Sequence, residues 1–223
     1  MLRTIIILMA LIIAPIFTKA NIKVKDNGDG ISLQVEGGVI TLKPLNDNSI
    51  RVKIQKSEEA IEIEELIYTV KLPRIDYLIK EDANSIILDL ENIKAIYNKN
   101  KKTLSFKDRL GNIVLEEKEG GRLLQPDVIK DFNVYRVGQK FISPSDEYIY
   151  GTGQFQDGHL NIRGLSRRLT QVNSQISIPF ILSSKGYGLL WNNYGLTEFN
   201  PADNILSLNR VDKTTQTVTV DAT

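Results

Sequence analysis

After residue 21 the chain alternates apolar and polar positions with a period of two. Ile31-Ser32-Leu33-Gln34-Val35, Ile50-Arg51-Val52-Lys53-Ile54 and Leu104-Ser105-Phe106 each place apolar side chains on one face and polar ones on the other. That pattern predicts half-buried antiparallel strands. Ile86–Leu90, Ile93–Tyr97, Ile113–Leu115 and Val218–Val220 add short runs rich in β-branched residues, which fit a pleated surface. Between them lie Asn27-Gly28-Asp29-Gly30, Glu36-Gly37-Gly38 and Leu110-Gly111-Asn112, turns that offer positive-φ positions at no steric cost, and the polar tip Asn98–Lys102. Strand and turn alternate about every 8 to 12 residues, as a sandwich or barrel requires. The predicted class is all-β, an antiparallel β-sandwich. One segment reads two ways: Ser57–Leu66 is either a short helix capped by Ser57 or, through Ala60-Ile61-Glu62-Ile63-Glu64, another strand. In both cases its acidic run is a solvated face.

The first twenty residues read as a signal peptide rather than as part of the fold. Arg3 precedes the apolar stretch Thr4–Phe17, and Thr18-Lys19-Ala20 supplies the small residues of a cleavage site, so the mature chain is expected to begin near Asn21. About 14 apolar residues fall short of the roughly 20 that a spanning helix needs. No cysteine follows to carry a lipid anchor. Export to the periplasm or the medium is expected, with no membrane span after processing. Without Arg3 and Lys19 the charge balance is 26 basic to 27 acidic residues, net −1, which points away from nucleic acid or an anionic membrane as partner. With no cysteine and one histidine, disulfides and His/Cys zinc sites are excluded; no metal and no cofactor is expected. About 200 mature residues suffice for one sandwich with a real core or for two small domains.

The sole histidine, His159, has Asp157 two residues before it but no G-x-S-x-G elbow to serve. Gly151-Thr152-Gly153 looks like half of a phosphate-binding glycine run, without the second half or a following helix. A tight turn between strands is the expected structure there. Asp146-Glu147 and Glu116-Glu117 are adjacent carboxylates, which alternation sends to opposite faces of a strand, so neither pair is a catalytic dyad. The stretch Tyr150–Asn193 is better suited to sugar. Gln154, Gln156, Asn161, Arg163, Gln171, Asn173 and Asn192 donate and accept toward hydroxyls. Phe155, Tyr187, Trp191 and Tyr194 offer apolar faces, although Tyr187 and Trp191 flank Gly188 at core spacing, and Arg163, Arg167 and Arg168 equally suit pairing with acidic loops.

These residues also carry a family resemblance. Asp146-Glu147-Tyr148-Ile149-Tyr150-Gly151-Thr152-Gly153-Gln154 resembles the E-x-x-Y-G-L-G-E/Q segment of glycoside hydrolase family 31. It is followed in order by Asn161-x-Arg163-Gly164, Leu169-Thr170-Gln171-Val172-Asn173, Ile178-Pro179-Phe180 and Gly186-Tyr187-Gly188-Leu189-Leu190-Trp191-Asn192-Asn193. Upstream, Leu104–Leu115 is similar to a strand-turn-strand of the family's N-terminal domain. The form of the motif looks most like exported α-xylosidase and α-glucosidase-like members from Bacteroidetes. The resemblance implies one sandwich similar to galactose mutarotase over residues 21–223, normally followed in the same chain by a (β/α)8 barrel that supplies both catalytic carboxylates.

Nothing here resembles the W-x-D-M-x-E nucleophile segment, and a barrel needs about 200 to 250 residues of its own. The expectation is a domain truncated before its barrel, with no catalytic residue and no activity by itself. The implied partners are that barrel and an α-linked oligosaccharide of xylo or gluco configuration. The implied role is to shape the aglycone side of the pocket. The substrate-facing candidates are Gln156, Asp157, His159, Gln171 and Asn173; of the family's rim motif W-N-x-D, only Asn173 has a counterpart, with Gln171 beside it. Two other readings use the same residues: a free-standing carbohydrate-binding sandwich, and a mutarotase-like epimerase that would require His159 as its acid. If the barrel face is uncovered, a sizeable apolar patch is expected on the sandwich.

Overall fold

A computed structural model describes residues 22–57, 67 and 73–200, and the backbone of 215–222. The first twenty residues, expected to be a signal peptide, and nearly all of the ambiguous Ser57–Leu66 segment lie outside the described residues. Strands, and no helix, make up the regular structure of the described part: β1 Lys23–Asp26, β2 Ile31–Val35, β3 Gly38–Asn46, β4 Ser49–Gln55, β5 Leu78–Glu81, β6 Ser85–Asp89, β7 Ile93–Asn98, β8 Thr103–Asp108, β9 Ile113–Ile129, β10 Phe132–Pro144, β11 Ile149–Gln154, β12 Arg167–Leu169, β13 Ile176–Ser183, β14 Gly188–Leu190, β15 Thr197–Phe199 and β16 Thr215–Ala222. All pairings are antiparallel and form three sheets, ordered β1-β2-β3-β4, β12-β15-β16-β10-β9-β8-β7-β6-β5 and β11-β13-β14. The predicted all-β class and every predicted strand run among the described residues are present.

Two of these sheets close on one core. Ile31, Leu33, Ile40 and Leu42 from β2 and β3 face Ile86, Leu88, Ala95, Tyr97, Leu104, Phe106, Leu115 and Phe141 from the long sheet, and all are buried. The alternation is kept because a one-residue slip in any pairing would turn that whole set to water. Cross-strand pairs such as Leu88↔Ala95 and Ala95↔Phe106 hold the register. Along the edge strand β4, Ile50 and Ile54 pack on the core while Val52 is left more than a third exposed. A second, smaller cluster joins Ile149, Ile162, Ile181 and Phe199, with Leu165, Leu189 and Trp191 against it, and so packs the three-stranded sheet on the β12-β15 end of the long one. Leu189 touches both clusters.

Strand β9 is far longer than the Ile113–Leu115 run that announces it. Its register against β10 shifts between Gln139 and Phe141, where Lys118–Gly121 bulge out before pairing resumes at Arg122↔Gln139. Gly120 has φ 65°, and a Cβ on Gly121 would sit 2.8 Å from both Lys118 O and Lys140 Cβ, so the bulge accepts only glycine there. The bulge carries a buried charge pair across its neck. Glu117, buried, accepts the Leu104 N–H at 2.8 Å and pairs with Arg122 at 2.5 Å.

Leu88 is wholly buried between the sheets, so Leu88→Ala is expected to cost about 2–5 kcal/mol of stability in urea unfolding. Val52→Ala on the edge strand should change it by no more than about 1 kcal/mol. Equal losses at the two positions would contradict the placement of the core.

Candidate functional site

The family-like stretch folds as the four strands β11 to β14 and the loops between them, and its loops are held from behind. At its start the chain leaves β10 through a turn closed by Glu147 N–H to Pro144 O at 3.0 Å. Asp146 points to solvent and pairs with Lys185 at 2.6 Å, while Glu147 is buried. The two carboxylates diverge as expected, but from a turn rather than from an alternating strand; Glu116 and Glu117 do diverge on a strand. Among the described residues no salt bridge reaches Glu147. It accepts hydroxyl hydrogen bonds from Ser143 on β10, from Ser183 on β13 and, at 2.8 Å, from Tyr187. Burial, with the charge of Glu147 beside it, pushes the Tyr187 hydroxyl well above the ordinary tyrosine range, so it stays a donor.

Gly151-Thr152-Gly153 is not a turn between strands. It lies inside β11, opposite a bulge in β13: Thr152 alone separates Gly151↔Ile181 from Gly153↔Ser177, against Ile178–Phe180 on the partner strand. Gly151, Thr152 and Gly153 all have positive φ: 114°, 63° and 99°. A Cβ at Gly151 would lie 2.4 Å from Phe180 O, and one at Gly153 only 2.1 Å from Ile176 O, so β13 approaches too closely for any side chain. Thr152 between them is a β-branched residue in the left-handed region, a costly conformation held by its surroundings. Its buried hydroxyl donates to Gly151 O at 2.7 Å and accepts from Arg167 Nη1 at 2.9 Å.

This end of the small sheet carries two loops. Gln154↔Ile176 closes the β11–β13 ladder, so the loop that follows β11 and the loop that enters β13 leave from the same end of the small sheet. The first carries Gln156, Asp157 and His159, all exposed; the second carries Gln171 and Asn173, also exposed. The five sequence-predicted residues therefore share one end of the sheet, on separate loops with no hydrogen bond described between them. Within the first loop Asp157 Oδ1 accepts the His159 N–H at 3.2 Å, and Oδ2 pairs with Arg167 Nη2 at 2.5 Å. The His159 amide, and after it the Arg167 charge, hold the Asp157 carboxyl below the usual aspartate range, although desolvation works against them. In the second loop a Val172↔Gln175 bridge forms a tight turn that presents Asn173, and Gln171 Oε1 accepts the Ser177 N–H in a long bond of 3.4 Å.

Several residues read as sugar contacts are engaged elsewhere. The Asn161 carbonyl oxygen accepts the backbone N–H groups of Ile149 and Arg163, at 3.0 and 3.1 Å. Arg163 donates to Ser143 Oγ and Ser143 O, both at 3.2 Å, rather than to an acidic loop. Arg167 and Arg168 do pair with acids, Asp157 and Glu198. Tyr187 packs on the main core and Trp191 on the small one. Phe155 has the Arg167 guanidinium over its ring at 4.3 Å, which leaves Tyr194, 62% exposed, as the open aromatic of that set. Arg167 is the site residue whose burial the sequence left open. The clue was its spacing to Leu169, which puts both on one face of a strand, but which face is inward depends on the pairing Arg167↔Phe199.

The cavities lie elsewhere. A cleft of about 230 Å³ opens where the start of β9 and the end of β10 splay apart, bounded by Ile113–Glu116, Ile142, Pro144, Glu147 and Lys185. It is smaller than the roughly 300–1,000 Å³ of ordinary ligand pockets, and none of the five predicted residues lines it. Among the described residues no three His, Cys, Asp or Glu side chains converge on a metal position.

Comparison with known proteins assigns these features. The chain is 30% identical over 203 residues to an uncharacterized family 31 glucosidase of Pseudescherichia vulneris, covering 80% of this chain and 37% of that protein. It is 32% identical over 167 residues to an α-xylosidase of Saccharolobus solfataricus, covering 70% of this chain and 22% of the relative. The crystal structure of a family 31 α-xylosidase from Xanthomonas citri superposes with a TM-score of 0.73 at 28% identity, over 78% of this chain and 19% of that one. The chain thus spans about a fifth to two fifths of the length of these relatives.

Two outcomes test the site. Thr152→Val keeps the shape and the strained φ but removes the hydroxyl, leaving Arg167 Nη1 with only its longer bond to Gly151 O. It should cost about 1–3 kcal/mol in chemical denaturation, and an unchanged midpoint would refute the bond. Asp157 has a folded pKa below its unfolded value near ~3.9, so the pair with Arg167 contributes fully above that value. The contribution is lost as the pH falls through the lower, folded value. A carboxyl-detected NMR titration should find Asp157 still ionised when exposed aspartates have protonated.

The model of the glycosyl hydrolase 31 N-terminal galactose mutarotase-like domain matches residues 39–200, more than half of the chain, and the chain belongs to family 31 as its N-terminal β-sandwich domain.

Proposed function

We propose that the chain serves an exported α-glycosidase of the α-xylosidase or α-glucosidase type, packing against its catalytic barrel and shaping the aglycone side of the pocket. The observation that carries this reading is the outer face of the small sheet. Strand β13 turns Ile181 and Ser183 inward, yet its outward residues are also apolar: Ile176, Ile178 and Leu182 are each about half exposed, at 50, 49 and 51%. Phe180 lies over Gly188 on that same face, and Leu190 on β14 is 45% exposed beside it. A strand apolar on both sides is built to be covered on both.

Covering this face would bring the loops at the sheet's end to the rim of whatever covers it. There the side chains of Gln156, Asp157, His159, Gln171 and Asn173 suit the hydroxyls of an α-linked oligosaccharide, since amides both donate and accept. On this reading the chain supplies a wall and not the carboxylate pair of the retaining reaction, which stays with the barrel. Export rests on the leader-like first twenty residues, and N-terminal sequencing of secreted protein should begin near Asn21.

A second reading, a free-standing carbohydrate-binding sandwich, draws on the same exposed amides. Calorimetric titration of the 223-residue chain with α-linked xylosyl and glucosyl disaccharides separates the two. Binding weaker than millimolar fits a wall that needs its partner, whereas millimolar or tighter binding favours the free-standing module. The packing role has its own check. The chain by itself should self-associate in sedimentation velocity through the β13 face, and Ile178→Glu with Leu182→Glu should restore a monomer. A parent chain that is monodisperse at every concentration would sink the packing role.

A further inference from the structure

We infer that Arg167 is the positioning residue of the loop that carries Gln156, Asp157 and His159, locking that loop from behind to the left-handed Gly151–Thr152 segment of β11; its consequence for sugar rests on the reading above. Arg167 belongs to the long sheet, where it opens β12 opposite Phe199. Its side chain, 6% exposed, crosses to the small sheet and meets three separate features there. One nitrogen donates to Thr152 Oγ1 at 2.9 Å and to Gly151 O at 3.3 Å, the other pairs with Asp157 at 2.5 Å, and the guanidinium plane lies 4.3 Å from the Phe155 ring centre.

Each contact does something different. The bonds to Gly151 and Thr152 engage the hydroxyl of a threonine held at positive φ, so the direction in which β11 enters the loop is set there. The stacking on Phe155 fixes the first residue of the loop. It also occupies a face of the one loop aromatic that otherwise suits a pyranose, so Phe155 is a support and not a sugar platform. The ion pair draws Asp157 inward, and Asp157 Oδ1 in turn accepts the His159 N–H. Gln156, between two tethered neighbours, is left pointing outward. A buried guanidinium must keep its partners, because an unpaired charge there is costly. The arrangement also needs a planar fork: a lysine ammonium is a point charge that cannot serve Thr152, Asp157 and Phe155 together.

The chain contains a reporter for each half of the test. His159 is the sole histidine and reads the loop; Trp191 is the sole tryptophan and reads the small core. In the 223-residue chain, Arg167→Lys should shift the His159 ring resonances and speed exchange of the His159 amide by about tenfold or more, with Trp191 emission unchanged. Asp157→Asn approaches the same contact from the exposed side. It keeps an oxygen for the His159 N–H but loses the ion pair, so it should move the His159 signals likewise even if the arginine variant fails to fold. His159 signals that stay in place in folded Asp157→Asn or Arg167→Lys overturn the inference. If the signals move while the parent chain and a reconstituted enzyme both ignore α-linked disaccharides, the sugar-facing reading fails and the role of Arg167 stands. If affinity falls while His159 is unmoved, the reverse holds.

Discussion

The buried carboxylate of Glu147 is the joint on which the arrangement of the sheets depends. A carboxylate removed from water without a cation is tolerable only when hydrogen bonds saturate it. Its three hydroxyl donors come from different elements: Ser143 at the end of β10 in the long sheet, Ser183 at the end of β13 in the small sheet, and Tyr187, whose ring packs on the main core. None of these can shift without stranding the charge, so the small sheet has a defined seat against the rest. Ser143 extends the joint outward, since its hydroxyl and its carbonyl both receive Arg163 and thereby anchor the far side of the loop after β11.

From that joint a rigid path leads to the exposed loops. The close approach of the bulged strand β13 keeps Gly151 and Gly153 bare of side chains, and Arg167 bridges that segment of β11 to the loop that follows. Loops are where binding residues collect, and they are useful in proportion to the rigidity of what presents them. Here the presenting layer is a three-stranded sheet with an apolar inner cluster and an apolar outer face.

The strands were legible where alternation was clean. Ile31–Val35 matches β2 from end to end, and the runs at Ile50–Ile54, Ile93–Tyr97 and Leu104–Phe106 fall inside β4, β7 and β8. Strand β9 was legible only at its first three residues, because Glu116–Arg122 is polar and glycine-containing. Its continuation depends on a bulge and on the partner β10, neither of which leaves a periodic trace. Gly151-Thr152-Gly153 was misjudged as a turn for a related reason. Glycine permits positive φ equally in a turn and inside a strand, and only the carbonyls of Phe180 and Ile176, some 25 residues away, distinguish them. Among the candidate side chains, the exposure of Gln156, His159 and Asn173 followed from their loops, whereas the engagement of Asn161, Arg163 and Phe155 did not.

By itself the sequence determined the all-β class, the position of most turns and the ordered motifs that mark the family, because strand period, glycine conformation and motif order are local properties of the chain. The tertiary structure alone decided which charges go inside. Glu147 is buried and Asp146 is not; Arg167 turns inward and Arg168 outward. Alternation says only that neighbours part, and which of them meets the core is set by register against strands that the local sequence does not contain.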